Sequence, residues 1–181
     1  NSLAATVPAD LLQTLASLPE VANIRPDRVV TLAATQTQQA STGDGWNLSS
    51  VEAGLLWAAG IDGQGAVVGV MDSGVDLNHA DLSGRWRGQP GGWFDPYGEY
   101  SGPHDGTGHG TQVAGIVLGG SSGGIPIGMA PGARWIAAKI FRDDGTAMLS
   151  YIHQGFQWML DPDGDPAVSY THLRAHETVL D

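Results

Sequence analysis

Residues 66–76, Ala-Val-Val-Gly-Val-Met-Asp-Ser-Gly-Val-Asp, constrain this chain more than any other stretch. An uncharged, valine-rich apolar run of this length predicts a strand buried on both faces, and such strands belong to parallel sheets. Asp72 stands at its carboxyl end, where open α/β sheets collect their ligand chemistry. Ser73 and Gly74 turn the chain away, which holds the carboxylate at the rim of the sheet. Desolvating a carboxylate there is costly without a partner for its charge, so the partner of Asp72 decides what the chain does.

The 181 residues suffice for one domain with a real core, and 41% hydrophobic residues exclude a disordered chain. The formal net charge of −11, from 8 Lys and Arg against 19 Asp and Glu, argues against a nucleic-acid or anionic-membrane partner, since both need a cationic face. The absence of cysteine removes disulfides and thiolate zinc sites. No apolar run approaches the ~20 residues of a membrane span. The chain begins at Asn1 without a signal-peptide pattern and is expected to derive from a longer protein.

Taken in order, residues 10–18 place Leu11, Leu12, Leu15 and Leu18 on one helical face behind Asp10, and Pro19 closes the helix. Residues 21–24 and 29–32 read as short strands. Residues 35–46 have a linker composition. Residues 48–59 read as one helix, capped by Ser49 or Ser50 and ended by Gly60. Residues 77–108 read as surface loop with Trp86, Trp93, Phe94 and Tyr97 packed beneath. A buried helix is expected over 111–118 and a second sheet strand over 134–141. A helix over 150–160 is expected to have Ser150 as its cap and Ile152, Phe156 and Met159 on one face. Alternation of strand and helix predicts an α/β fold, a parallel sheet flanked by helices.

The second constellation is Asp105-Gly-Thr-Gly-His109-Gly-Thr-Gln-Val-Ala-Gly115. Its histidine lies between glycines where a loop becomes a helix, and 37 positions separate it from Asp72, enough for a return to the same sheet rim. An aspartate accepting from one imidazole nitrogen fixes the tautomer and frees the other as a general base. Either residue alone reads as a helix-capping Asp or a solvated loop His. Their shared glycine-lined setting favours a functional pair.

Together these two motifs resemble the subtilisin-like serine peptidases (S8), whose triad runs Asp, then His, then Ser. Residues 128–133, Gly-Met-Ala-Pro-Gly-Ala, and the strand after them extend the resemblance over roughly residues 48–167. Trp46-Asn47-Leu48 and the Trp-rich loop are most similar to the bacillopeptidase F branch. The resemblance implies the N-terminal half of a subtilisin-like catalytic domain over 48–168. Residues 1–34 resemble the C-terminal part of a small α/β propeptide, joined by a linker over 35–47. It implies that Asp72 orients the imidazole and that His109 is the general base and acid. It also implies that Gly145, Thr146 and Ala147 form the edge segment that pairs with substrate backbone. Asp81 matches a position that binds calcium in some members, so a structural calcium is expected at most, with no cofactor for catalysis. Protein or peptide substrates, the chain's own propeptide and an extracellular location are implied as well.

Three departures bear on that expectation. Gln112 replaces a second histidine and should face away from the triad. No Gly-Thr-Ser-Met-Ala-like turn and no oxyanion-hole asparagine is present, and Ser73, Ser121 and Ser122 stand in other contexts, so this polypeptide by itself is expected to be inactive. Residues 169–181 resemble translated sequencing-adaptor read-through and are expected to be foreign. Within them His172 and His176 stand one helical turn apart, but the order is not His-Glu-x-x-His and a third ligand is lacking, so no metal site is assigned. Gly60–Gly65 precedes its strand, where a dinucleotide loop must follow one, and Gly119–Gly124 lacks the lysine of a phosphate loop. Two other classes remain as alternatives to the peptidase: a non-catalytic α/β binding module, and a metal- or phosphate-dependent hydrolase using Asp72 with Asp76 and Asp81.

Overall fold

The computed structural model describes residues 3–32 and 45–164. Most of the expected linker, the whole tail from residue 165, and with it His172 and His176, lie outside the described residues. The elements are α1 (Leu12–Ala16), β1 (Val29–Thr31), α2 (Trp46–Ser50), α3 (Ala53–Ala58), β2 (Val67–Asp72), β3 (Trp93–Phe94), α4 (His109–Leu118), β4 (Arg134–Lys139), β5 (Thr146–Met148) and α5 (Leu149–Leu160).

A parallel sheet of order β2-β4-β3 forms the centre. Successive residues of a strand face opposite sides, and β4 shows both sides in use. Trp135 and Ala137 join Val70, Val75, Leu82, Ala114 and Leu118 in a cluster beneath α4, whereas Ile136 and Ala138 join Ile140 and Met159 beneath α5. The strand buried on both faces is therefore β4, at the middle of the sheet. The first half of β2 is exposed or half-buried, because among the described residues it is an edge strand. Both strands run in register, so Asp72 stands beside Lys139 at the carboxyl edge.

Several expectations are corrected. Residues 48–59 form two helices, broken at Glu52 with φ of 54°. On one continuous helix the buried Leu48 and Ala53 would point about 140° apart, and the break turns both inward. The helix near residue 10 is a 3₁₀ turn at Ala9–Leu11 followed by α1, and it buries no side chain among the described residues. Val21–Ile24 forms no strand, having no described strand to pair its backbone, while Val29–Thr31 finds one in β5. Helix α4 starts earlier than expected, at His109, and the second sheet strand ends at Lys139. On α5, Met159 is buried but Phe156 is 59% exposed. The two-residue β3 is too short to show a pattern in sequence.

The second sheet is antiparallel, with Val29, Val30 and Thr31 opposite Met148, Ala147 and Thr146. The Leu32 amide extends the pairing by donating to the Gly145 carbonyl at 2.8 Å, and the Leu149 amide donates to the Arg28 carbonyl at 2.9 Å. Ser150 does not cap α5. Its amide and hydroxyl donate to the two carboxylate oxygens of Asp27 at 3.0 and 2.6 Å, so an acid far away in sequence satisfies donors at the helix start. Those bonds hold the Asp27 carboxyl below its ordinary range.

Candidate active site

The carboxyl edge of the central sheet brings Asp72 and His109 together. His109 Nδ1 donates to Asp72 Oδ1 at 2.7 Å, an ionised carboxylate being able only to accept. The Ser73 amide donates to the same oxygen at 2.7 Å. The aspartate side chain is 12% exposed and the imidazole 27%. The second ring nitrogen is free of that bond, and the tautomer left by it makes Nε2 the acceptor.

Close backbone approach makes the contact possible. Gly74 has φ of 110°, and a Cβ there would collide with the His104 carbonyl oxygen; a Cβ on Gly110 would collide with the Gly74 carbonyl oxygen. The first turn of α4 thus lies directly on the turn that follows β2, near enough for an imidazole to span the gap.

The N-terminus of α4 lacks a cap from its own N-cap residue, Gly108. Neighbouring side chains supply the acceptors that its first amides need. The amides of His109, Gly110 and Thr111 donate to Thr107 Oγ1, Ser73 Oγ and Asp105 Oδ2 at 3.2, 2.9 and 2.8 Å. The Asp76 amide donates to Thr111 Oγ1 at 2.9 Å, adding a further tie between the turn and the helix.

Behind the turn lies Lys139, fully buried. Its Nζ donates to the Ser73 carbonyl at 2.7 Å and to Asp143 Oδ1 at 2.7 Å. Asp143 Oδ2 accepts from Tyr100 Oη at 2.6 Å and lies 3.3 Å from His104 Nε2, with the Tyr100 and His104 rings stacked 3.8 Å apart. Partial burial pushes the Asp143 carboxyl up, but the Lys139 and Tyr100 bonds outweigh it and hold the group far below the usual carboxylate range.

The other residues singled out in sequence lie elsewhere. Gly145, Thr146 and Ala147 lie at and beside β5 and pair with residues 30–32; the Gly145 carbonyl accepts from the Leu32 amide, whereas the Thr146 amide donates to Asp144 Oδ1 and its carbonyl accepts from the Arg142 amide. Gln112 is exposed. Asp76 does not converge on Asp72; its Oδ1 accepts from the Asn78 amide. Asp81 Oδ1 accepts from the Ser122 amide at 2.7 Å, which holds its carboxyl below the ordinary range, and the Gly120 carbonyl accepts from the Ile127 amide. No group of three or more His, Asp or Glu side chains among the described residues is placed to hold a metal. Ser73 Oγ donates to Asp105 and accepts from Gly110, leaving it engaged rather than free.

Sequence reasoning assigned no role to Asp105, Lys139, Asp143 or Asp27. A lysine inside the apolar run 135–141, and an aspartate four positions before a helix-opening histidine, were the signals for the first two.

The subtilase family model, Peptidase S8, matches residues 63–168. Bacillopeptidase F of Bacillus subtilis (strain 168) is 32% identical over 190 residues, covering 92% of this chain and 13% of that protein. Subtilisin E of the same organism is 31% identical over 165 residues, covering 91% of this chain and 40% of its own length. Alkaline elastase YaB of Bacillus sp. (strain YaB) is 36% identical over 140 residues, with 77% and 33% covered. The chain spans less than half the length of each of these relatives.

Proposed function

This chain belongs to the subtilase family, and from that premise we propose that it carries the Asp and His of a serine endopeptidase's catalytic centre. The hydrogen bond from His109 Nδ1 to Asp72, made at a sheet edge by two glycine-faced turns, is the observation that carries the reading. His109 Nε2 takes the proton from a serine hydroxyl as that hydroxyl attacks a peptide carbonyl, then returns it to the leaving amine; Asp72 stabilises the imidazolium in between. No Gly-Thr-Ser-Met-Ala-like turn that would supply this serine occurs in these 181 residues. Alone, the chain hydrolyses no peptide.

Residues 27–32 support a second element of the reading. They lie antiparallel along β5, on the segment expected to hold substrate backbone, with Asp27 fastened to the start of α5. They belong, in this reading, to a propeptide that occupies the edge where an extended substrate would add as a strand. The substrates are proteins or peptides, and the protein acts outside the cell.

The test uses the full-length parent protein. A fluorophosphonate probe should label one serine of the wild type and not of His109→Ala, and casein hydrolysis should disappear with the label. Full hydrolysis by the His109→Ala protein would rule the assignment out. Added peptide 1–34 should inhibit the processed enzyme; an absence of inhibition would remove the propeptide role alone.

A further inference from the structure

Asp105 has no part in the proton transfers described above, yet the hydrogen bonds around the Asp72–His109 pair converge on it. Its Oδ1 accepts from Ser73 Oγ at 2.9 Å, from the Thr107 amide at 3.1 Å and hydroxyl at 3.3 Å, and from the Gly108 amide at 2.9 Å. Its Oδ2 accepts from the Thr111 amide at 2.8 Å and hydroxyl at 2.6 Å. These donors sit on two separate pieces of backbone, Ser73 on one and residues 107–111 on the other. Ser73 follows Asp72, Thr107 and Gly108 precede His109, and Thr111 lies in the first turn of α4. One carboxylate therefore joins the segment carrying Asp72 to the segment carrying His109.

The chemistry of this hub requires an anion. Every group that points at either oxygen is a donor, so both oxygens must accept. An asparagine would turn an amide N–H₂ toward one set of donors and leave it unpaired. Burial pushes the Asp105 carboxyl up, but the bonds from Thr111, Gly108 and Ser73 prevail and hold it below its ordinary range.

The pair itself needs such support. The imidazole is 27% exposed, so water competes for its Nδ1–H, and a ring on two single bonds has other orientations open to it. A carboxylate gripping both backbone segments removes the freedom that would let the ring swing away.

We propose that Asp105 is a positioning residue, which keeps His109 in its Nδ1–H form against Asp72 by clamping the first turn of α4 to the turn after β2. The inference rests on the peptidase reading only in taking Asp72–His109 as the pair that matters.

The tautomer of His109 tests it, read from the ¹⁵N shifts of both ring nitrogens in the 181-residue chain at alkaline pH, where an imidazole is neutral. Wild type should hold the Nδ1–H form. Asp105→Asn should raise the Nε2–H population roughly tenfold, with Thr111→Val and Ser73→Ala shifting it less and in the same direction. A purely structural role would lower the melting temperature and leave the tautomer of the folded protein unchanged, and that result overturns the proposal. Where Asp105→Asn does not fold, Thr111→Val and Ser73→Ala decide, and an unmoved tautomer in both overturns it equally. A wild-type ring in the Nε2–H form would instead overturn the pairing of His109 with Asp72, and the peptidase reading with it.

Discussion

Lys139 Nζ donates to the carbonyl oxygen of Ser73 at 2.7 Å, which seats a fully buried ammonium directly behind the turn that carries Asp72. A buried cation needs compensation, and Asp143 provides it from the surface side, held in turn by Tyr100. The same lysine neighbours Asp72 in the sheet register. The geometry of the candidate site thus depends on a charge network on the far side of its own backbone.

Replacing Lys139 by Met should lower stability by about 2 kcal/mol. The loss combines a charged hydrogen bond to a buried carbonyl with a broken ion pair, reduced because the Asp143 side chain is 38% exposed and solvent screens its charge. Urea unfolding checks it, and an unchanged midpoint would show that the lysine contributes nothing net.

Gly74→Ala and Gly110→Ala should each cost about 2 kcal/mol or more, since a methyl group would meet a backbone carbonyl in both cases and Gly74 also has positive φ. Both should also weaken the His109–Asp72 bond, seen as faster solvent exchange of the Nδ1 proton. Gly84→Ala is the contrast: its Cβ would meet nothing within 4 Å, so only the strain of its φ of 78° remains.

Acid should loosen the site. The carboxyls of Asp105 and Asp143 are both held below the ordinary value of 3.8. A depressed folded-state value means that the stabilisation is complete above the unfolded value and is lost as pH falls through the folded one. Stability from these two groups should therefore be flat above about pH 5 and decline below about pH 4. Asp143→Asn should flatten that decline in denaturant melts taken across the range; an equal slope in the variant would assign it to other groups.

Asp27→Ala should release the β1 segment selectively. Loss of its two bonds to Ser150 removes a helix-start acceptor worth about 1 kcal/mol. The amides of Val30 and Leu32, which belong to the hydrogen-bonded pairs of the ladder, should exchange about fivefold faster while those of β4 keep their protection. Uniform acceleration across both strands would mean that the residue acts on global stability.

Much of this arrangement is legible in the residues themselves. The apolar run ending at Asp72 marks a sheet strand and its functional end, and His109 between glycines marks a helix start open to approach. The break at Glu52 is not legible, because a helix-compatible string gives no sign that Leu48 and Ala53 must share a direction. Nor is the length of β1, since Val21–Ile24 and Val29–Leu32 have equal strand character and differ only in which of them meets β5. Local pattern records what a segment can become, and pairing decides which segment becomes it.

By itself the sequence determined the α/β class, the parallel strands, and the two residues that meet at the sheet edge, because strand period, apolar runs and glycine placement are local properties written in consecutive residues. Tertiary structure alone decided that Asp105 would join the turn after β2 to the first turn of α4, that Lys139 would be buried behind Ser73, and that Asp27 would serve α5 from 123 positions away. Each of those depends on a carboxylate or ammonium reaching donors or acceptors on another piece of backbone. Charge compensation across space leaves no period along the chain.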